Sequence, residues 1–222
     1  MPALLFGSIS TLADTSELQR LAFNQAFAEH GLDWQWTQEE YRSLLGSNGG
    51  ADRVREYARS RGENVDAAAV HATKSDLFRR SLASSPVVSR PGVVETIAQA
   101  KESGYRIGFV TTTSGANVQA LLTALAPGVS AADFDVVVDA SDVETGKPDP
   151  AAYRLALDKL GVDATACVAI EDNPGGARSA AAAGIACAAF PNENTRQQDF
   201  GPALPVGEEL RLEELRNLIP AA

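Results

Sequence analysis

Hydrophobic positions in the second half of the chain come as short continuous runs separated by amphipathic segments. From Val93 onward, the runs that predict strands are "RIGFVT", "FDVVV", "ACVAIE" and "IACAAF". The segments between them, such as "VVETIAQAKESG" and "PAAYRLALDKLG", carry apolar residues at three-and-four spacing and predict helices. "ALLF" at residues 3–6 predicts a first strand, and "GPALPVGEELRLEELRNLIPAA" predicts a last short strand and a closing helix. This alternation indicates an α/β fold with a parallel sheet covered on both faces.

Residues 16–85 carry almost no strand pattern. Four segments there predict helices, with Gly, Ser, Thr or Asp at their ends: "TSELQRLAFNQAFAEHG", "TQEEYRSLLG", "GADRVREYARSRG" and "VDAAAVHATKSDLFRRSLASS". A helical block inserted after the first strand is typical of a cap over the strand ends. We therefore predict a core domain of residues 1–13 and 86–222 and a small helical cap domain of residues 16–85.

Composition and charge narrow the class of protein. A chain of 222 residues, 45% hydrophobic and 22% charged, is ordinary for a globular protein with a sizeable core. The net charge of −10 argues against nucleic acid or an anionic membrane as partner. No apolar run reaches the ~18 residues of a membrane span, and the N-terminus lacks the features of a signal peptide. We expect a cytoplasmic monomer whose Cys167 and Cys187 are buried free thiols.

Candidate chemistry lies at the carboxyl ends of the predicted strands, which converge on one crevice in an open parallel sheet. Thr111, at the start of "TTTS", offers a hydroxyl and a helix N-terminus to an anion. Lys147 in "ETGKPDP" is a point charge suited to phosphate. Glu171 and Asp172 in "AIEDNPGG" are hard oxygen ligands suited to Mg²⁺.

Each of these features also has an ordinary structural explanation. A Thr-Ser run before a helix commonly caps it, a lone Lys is commonly a solvated loop charge, and Asp-Asn-Pro commonly starts a helix. Their joint occurrence at matching strand ends favours a shared site.

The chain resembles the haloacid dehalogenase superfamily and, within it, the CbbY group of sugar-bisphosphate phosphatases and the related beta-phosphoglucomutase-like group. The resemblance covers nearly the whole chain and includes "LAFNQAFAEHGLDWQWTQEEYRSLL", "RPGV", "VTTTS", "GKPDPAAYRLAL" and "IEDNPGGARSAAAAG". It implies a Rossmann-like core, a small helical cap, and Mg²⁺-dependent hydrolysis of phosphate esters through an aspartyl-phosphate.

The resemblance also implies roles for individual residues. Thr111, with Thr112, corresponds to the group that holds the transferring phosphoryl, and Lys147 to the cation that steadies it. Asp172, supported by Glu171, corresponds to the magnesium ligand. The positions implied to read the substrate from the cap or its entrance are Ser47, Asn48, Gly49, Arg53 and Arg90. Ala51 stands where the family usually has a Lys, so recognition through the cap is expected to differ.

The first motif departs from the family pattern. The family reads Asp-x-Asp-Gly-Thr, whereas this chain has Gly7, Ser8, Ile9, Ser10 and Thr11. Without the nucleophile and the acid/base carboxylate, we expect a catalytically impaired or inactive protein with a weakened Mg²⁺ site.

We expect this protein still to bind a phosphorylated small molecule, a sugar phosphate or bisphosphate. Ser8 and Ser10, beside Thr111, Thr112 and Lys147, are expected to help hold the phosphate. Two alternatives remain open: an active Mg²⁺-dependent phosphatase with a non-standard nucleophile, and a structural or interaction module whose pocket is a relic.

Overall fold

The computed structural model describes residues 1–46 and 49–219. Among these residues the regular elements are strands and α-helices in alternation. The strands are β1 (Ala3–Phe6), β2 (Arg106–Val110), β3 (Val136–Val138), β4 (Cys167–Glu171), β5 (Ala186–Ala189) and β6 (Leu204–Pro205). The helices are α1 (Ile9–Leu12), α2 (Ser16–Glu29), α3 (Gln38–Leu44), α4 (Gly50–Arg61), α5 (Ala67–Ser84), α6 (Val93–Glu102), α7 (Gly115–Leu125), α8 (Ala151–Leu160), α9 (Pro174–Ala182) and α10 (Leu212–Arg216).

The sheet is parallel throughout and has the strand order β3-β2-β1-β4-β5-β6. Strand β1 lies in the middle, with Leu4 in register with Ile107 on one side and Val168 on the other. This topology confirms the predicted α/β, Rossmann-like fold. It places the ends of β1, β2 and β4 next to one another, where such folds bind ligands.

Side chains of the central strands alternate between the two faces of the sheet, as the period of two requires. Leu4 and Phe6 of β1 belong to one core cluster, which continues into the helices inserted after β1. Ala3 and Leu5 pack on the opposite face, in a second cluster that includes residues of α8 and α9. Burial on both faces explains why the strands read as continuous apolar runs. Both cysteines are buried free thiols, as predicted.

Helices α2–α5, here called the cap helices, confirm the four predicted helices between residues 16 and 85. Aromatic rings hold them together, with Trp36 at 4.6 Å from Phe27 and 5.0 Å from Phe23 between ring centroids. Aromatic pairs at such distances favour edge-to-face and tilted packing. The division into a core of residues 1–13 and 86–222 and a cap of residues 16–85 stays a prediction. None of the helices in the described part of the chain is long and apolar enough to cross a membrane.

The residues that follow β1 are helical and buried. Ile9–Leu12 form a short buried helix, whose N-cap Ser8 accepts a hydrogen bond from the Ser10 backbone N–H. The Thr11 hydroxyl donates to the Ser8 carbonyl at 2.7 Å. Ser8 therefore caps the N-terminus of this short helix, since its side-chain oxygen accepts from a backbone N–H of the first turn.

Candidate functional site

A cavity of about 620 Å³ lies between the cap helices and the carboxyl ends of β1, β2 and β4. At its core end it is lined by the residues predicted to hold phosphate, together with Asp172. At the opposite end it is lined by side chains of the cap helices, including Arg53, His71 and Lys74. The predicted phosphate residues brought together at the core end are Ser8, Ser10, Thr111, Thr112 and Lys147.

Lys147 is buried beneath the core end of the cavity. Its ammonium group donates to the Gly7 carbonyl at 2.5 Å, the Val110 carbonyl at 2.7 Å and the Glu171 carboxylate at 2.6 Å. An ammonium group has three N–H donors. All three are therefore committed to the protein, and this lysine has no N–H left for a ligand in this arrangement.

Glu171 is completely buried and does not line the described cavity. Its Oε1 accepts from Lys147 and from the Tyr153 hydroxyl, the latter at 2.7 Å, while Oε2 has no hydrogen-bond partner among the described residues. Burial raises the pKa of this carboxyl, although the neighbouring ammonium opposes the rise. Burial and the adjacent carboxylate also raise the pKa of Tyr153 well above its ordinary value, so Tyr153 donates as a neutral phenol.

The carboxyl group of Glu171 fills the space between two glycines. A Cβ on Gly7 would overlap it, and so would a Cβ on Gly176 at the start of α9. Glu171 thus occupies the place into which a side chain at position 7 would extend. Neither the strand pattern nor the Glu-Asp pair in the sequence signalled this position.

Asp172 faces the cavity, and its oxygens are already engaged. The Ser8 hydroxyl donates to Oδ1 at 2.5 Å, and the Asn192 amide donates to Oδ2 at 2.6 Å. The Thr195 hydroxyl donates to the Asp172 backbone carbonyl at 2.5 Å. Asn192 and Thr195 follow β5, and sequence reasoning did not find them; their Asn-x-x-Thr spacing was the available signal.

The fit of a magnesium ion can be judged from these donors. Mg²⁺ requires near-octahedral oxygen ligands and gives up water reluctantly. Position 7 has no carboxylate, Glu171 is buried and does not line the cavity, and Asp172 is held by a hydroxyl and an amide. Within residues 1–46 and 49–219, no three His, Cys, Asp or Glu side chains are grouped so that they could hold a metal ion. The residues present do not fit a magnesium centre.

The threonine run after β2 has a capping function as well as a place at the cavity. Ser114 is the N-cap of α7 and accepts from the Asn117 backbone N–H. The Thr111 hydroxyl accepts from the Thr113 backbone N–H at 3.2 Å. Thr111 and Thr112 also line the cavity, so a role in capping the helix is compatible with a role in ligand binding.

Lys74 of α5 is the notable side chain at the cap end, and sequence reasoning missed it. It is only 4% exposed, and its ammonium donates to the Gln19 side-chain carbonyl at 2.9 Å. The ring centroids of Phe23 and Phe78 lie 4.8 and 5.0 Å from its Nζ. Burial, reinforced by the charge of Arg53, lowers the pKa of Lys74 to about 7. No local pattern marked it, because its contacts with Phe23 and Phe78 exist only in the folded chain.

The cap positions predicted to read the substrate fall in different places. Ser47 and Asn48 lie outside the described residues. Gly49 is the N-cap of α4 with φ of 94°, a conformation that favours glycine, and it lines the cavity. Arg53 also lines it, stacks 5.7 Å from the Tyr41 ring centroid, and donates to the Leu44 carbonyl at 2.9 Å.

Arg90, predicted to lie near the substrate entrance, does not line the described cavity, and its role at the entrance stays a prediction. Its guanidinium stacks on Phe190 at 3.3 Å from the ring centroid. It donates to the carbonyls of Ser10, Phe190 and Pro191 at 3.1, 2.8 and 2.8 Å. Arg90 therefore ties α1 to the segment after β5, and a planar group with several donors suits that structural task.

Comparison with known proteins agrees with this architecture. A family model described as haloacid dehalogenase-like hydrolase matches residues 2–184. Protein CbbY of Rhodobacter capsulatus is 40% identical over 206 residues, covering 91% of each chain. A CBBY-like protein of Arabidopsis thaliana is 32% identical over 210 residues, covering 89% of this chain and 66% of the relative.

Solved structures of CbbY from Rhodobacter sphaeroides superpose closely. A mutant in complex with xylulose-(1,5)bisphosphate has a TM-score of 0.84 and 38% identity, covering 93% of this chain and 94% of that one. A complex with phosphate has a TM-score of 0.85 and 38% identity, covering 94% and 95%.

Proposed function

Since the chain belongs to the haloacid dehalogenase-like hydrolase family, we propose that it binds a phosphorylated small molecule, a sugar phosphate or bisphosphate, without hydrolysing it through an aspartyl-phosphate. The cavity between the cap helices and the strand ends, lined by hydroxyl groups at one end and by cap cations at the other, supports the binding. The xylulose-(1,5)bisphosphate of one CbbY structure belongs to this chemical class, and a second CbbY structure is a complex with phosphate.

One observation carries the loss of hydrolysis: the place of a carboxylate at position 7 is taken by the Glu171 carboxyl group, which is buried and bonded to Lys147 and Tyr153. That carboxylate cannot attack a phosphorus atom in the cavity, because it is completely buried and does not line the cavity. Removing a covalent nucleophile typically costs on the order of 10⁴ to 10⁶ in kcat.

Ile9 removes the second catalytic function. It is buried in the core cluster that joins β1 to the cap helices, and its side chain can neither donate nor accept a proton. Loss of a general acid/base ordinarily costs a further factor of about 10² to 10⁴. The two positions together support a protein that retains its ligand unchanged.

The poor fit of the donors to magnesium supports metal-independent binding. Hydrogen bonds from Ser8 and Asn192 satisfy Asp172 where a family member would use this carboxylate for Mg²⁺. The polar atoms of this carboxylate therefore have partners without an ion.

A second candidate is supported by one contact. The Ser8 hydroxyl lies 2.5 Å from Asp172 Oδ1 at the cavity wall, which is the arrangement of a serine nucleophile with a carboxylate base. This candidate is an active phosphatase using Ser8, and it predicts that Ser8→Ala and Asp172→Ala each abolish turnover. The remaining alternative is a structural or interaction module whose cavity no longer binds a small molecule. It predicts an intact fold and no small-molecule ligand.

The test measures phosphate release and binding in parallel. The wild type, Ser8→Ala and Asp172→Ala are incubated with a panel of sugar monophosphates and bisphosphates, with and without Mg²⁺, and calorimetry records binding. We expect the same low phosphate release from all three proteins, because any release would come from a contaminating phosphatase. We also expect at least one ester to bind to the wild type. Release by the wild type that both substitutions abolish would replace the proposal with the serine mechanism. The cytoplasmic location and the monomeric state stay predictions.

A further inference from the structure

The segment between β5 and β6 connects the core of the protein with the cap helices. Residues 190–198, here called the strap, form neither helix nor strand. Three polar side chains of the strap are nevertheless buried: Asn192, Asn194 and Thr195. Buried polar groups need hydrogen-bond partners. Those of the strap lie partly in the core and partly on the cap helices, so the strap connects the two.

On the core side the strap is fixed to Asp172, which lines the cavity. The Asn192 side-chain amide donates to Asp172 Oδ2 at 2.6 Å, and the Thr195 hydroxyl donates to the Asp172 backbone carbonyl at 2.5 Å. The same hydroxyl accepts from the Asn192 backbone N–H at 3.0 Å. These bonds fix the position of the strap relative to the cavity wall.

On the cap side, Asn194 contacts two helices at once. Its side-chain N–H donates to Glu17 Oε1 of α2 at 2.7 Å, and its Oδ1 accepts from Arg42 Nε of α3 at 3.1 Å. Both partners carry a charge, and charge-assisted hydrogen bonds are about twice as strong as neutral ones. Gln198 adds a bond to the Arg42 backbone carbonyl at 3.1 Å. The strap therefore fixes α2 and α3 relative to the core.

One hydrogen bond joins the two sides. The Asn194 backbone N–H donates to the Asn192 side-chain carbonyl at 2.9 Å. Asn192 thus uses its amide N–H on Asp172 and its amide oxygen on Asn194, and a rotation of this buried amide would break both bonds. Hydrogen bonds in such a chain polarise and reinforce one another. The chain runs without interruption from the cavity carboxylate to the cap helices.

We propose that the strap keeps the cap helices closed over the cavity and that this closure depends on Asp172, with Asn192 and Asn194 as the positioning residues that connect them. A change in the hydrogen bonds of Asp172 then reaches α2 and α3 through two asparagines. The coupling is reciprocal, since an effect of Asp172 on the cap implies an equal effect of the cap on Asp172. The inference concerns the protein without a ligand, so it does not depend on the proposed function.

The test measures how often the cavity opens in the ligand-free protein. Ser75 of α5 lines the cavity and is 9% exposed, and Ser75→Cys places a thiol of similar size there. Its rate of alkylation by a bulky polyethylene glycol maleimide reports the open fraction, provided that closing is faster than alkylation. Mass spectrometry identifies the alkylated residue, because Cys167 and Cys187 are also free thiols.

The variants are made in the Ser75→Cys background. Asn194→Ala removes the side-chain bonds to α2 and α3, and Asn192→Leu removes the bond to Asp172 at nearly constant volume. Asn24→Ala is the matched control, because Asn24 of α2 makes two hydrogen bonds inside the cap, to the Trp36 backbone at 2.8 and 2.9 Å. Circular dichroism checks that each variant is folded.

We expect Asn194→Ala and Asn192→Leu each to raise the alkylation rate at least about fivefold, whereas Asn24→Ala raises it less than about twofold. The combination of Asn194→Ala with Asn192→Leu should exceed the larger single effect by less than about twofold, because both substitutions break the same chain.

An exchange of hydrogen-bond partners provides a rescue that keeps the packing. Asn194→Asp places a carboxylate against Glu17 and should raise the rate at least about fivefold, since like charges repel. Adding Glu17→Gln again pairs an amide with a carboxylate, and should return the rate to within about twofold of the Ser75→Cys protein. If Asn194→Ala does not fold, this pair decides alone.

Four results would overturn the inference. Asn194→Ala may raise the rate no more than Asn24→Ala does, which would make its effect a general loss of stability. Asn192→Leu may leave the rate unchanged, so that closure does not depend on Asp172. The effects of Asn192→Leu and Asn194→Ala may multiply, as for independent contacts. Glu17→Gln may fail to reverse Asn194→Asp. None of these results bears on ligand binding, so the proposed function is tested separately.

Discussion

The arrangement around Gly7 is tested most directly by transferring the buried carboxylate from Glu171, at the end of β4, to position 7, directly after β1. Two substitutions, Gly7→Asp and Glu171→Ala, are made singly and together. Glu171 Oε1 lies 2.6 Å from the Lys147 ammonium and overlaps the place of a Cβ at position 7. An aspartate at position 7 therefore cannot coexist with Glu171 in its present position. When that carboxylate is removed, we expect the aspartate to replace it as the counter-ion of Lys147, with a shift of the Tyr153 hydroxyl, which lies 2.6 Å from the Cβ position.

The magnitudes follow from burial. Glu171→Ala leaves the buried Lys147 without its counter-ion, and breaking a buried pair in this way costs about 3 to 5 kcal/mol. Gly7→Asp alone forces the fully buried Glu171 to move, and overpacking of this kind costs about 1 to 3 kcal/mol. Independent effects would add to about 4 to 8 kcal/mol. We expect the double variant to lose only about 2 to 4 kcal/mol, because one carboxylate again faces one ammonium.

The assay is urea denaturation followed by circular dichroism for the wild type, both single variants and the double variant. Gly46→Asp combined with Glu171→Ala is the matched control, since a Cβ at Gly46 meets no atom within 4 Å. That control should be additive. If the Gly7→Asp and Glu171→Ala losses also add to within about 0.5 kcal/mol, the two positions do not share one carboxylate site and the reasoning about Glu171 is refuted.

Three further predictions concern the metal, the cap lysine and the buried arginine. Millimolar Mg²⁺ should leave the melting temperature of the wild type unchanged in a thermal scan, since the described donors do not fit the ion; a rise that Asp172→Ala removes would contradict this. Lys74→Met should stabilise the protein below pH 7, by an amount on the order of 5 kcal/mol at most. Folding lowers the pKa of Lys74 from 10.5 to about 7, so between these pH values the unfolded chain binds one proton more than the folded chain. The stability gained by the variant should therefore shrink as the pH rises toward 10.5. Urea titrations that give the same difference in unfolding free energy at every pH would exclude this cause. Arg90→Gln should lower the free energy of unfolding by about 2 to 4 kcal/mol, because it removes the stacking on Phe190 and the hydrogen bonds to backbone carbonyls. The affinity for the ligand should stay unchanged. A loss of affinity without a loss of stability would show that Arg90 takes part in ligand binding.

The strands, the helices and the position of the site could be predicted from the sequence, because these depend on local periodicity and on simple topological rules. Continuous apolar runs such as "ALLF" and "ACVAIE" became central strands buried on both faces. The carboxyl ends of parallel strands necessarily meet at one edge, so Ser8, Thr111, Lys147 and Asp172 came together at the cavity as expected. Absence of acidic side chains at positions 7 and 9 was also plain from the residues alone.

The bonding partners of those side chains were decided by the tertiary structure alone. Lys147 donates to a residue 140 positions away in the chain, and Arg90 to one 101 positions away, so no local pattern could indicate which acceptors they find. The glycine at position 7 shows from the sequence that a carboxylate is missing there. Only the packing of β1 against β4 and α9 shows that the Glu171 carboxyl group lies where a side chain at position 7 would extend. Lys74 reads as an ordinary surface lysine until the cap helices close around it. The sequence determines which elements form, whereas the charges a ligand meets depend on long-range contacts that exist only in the folded chain.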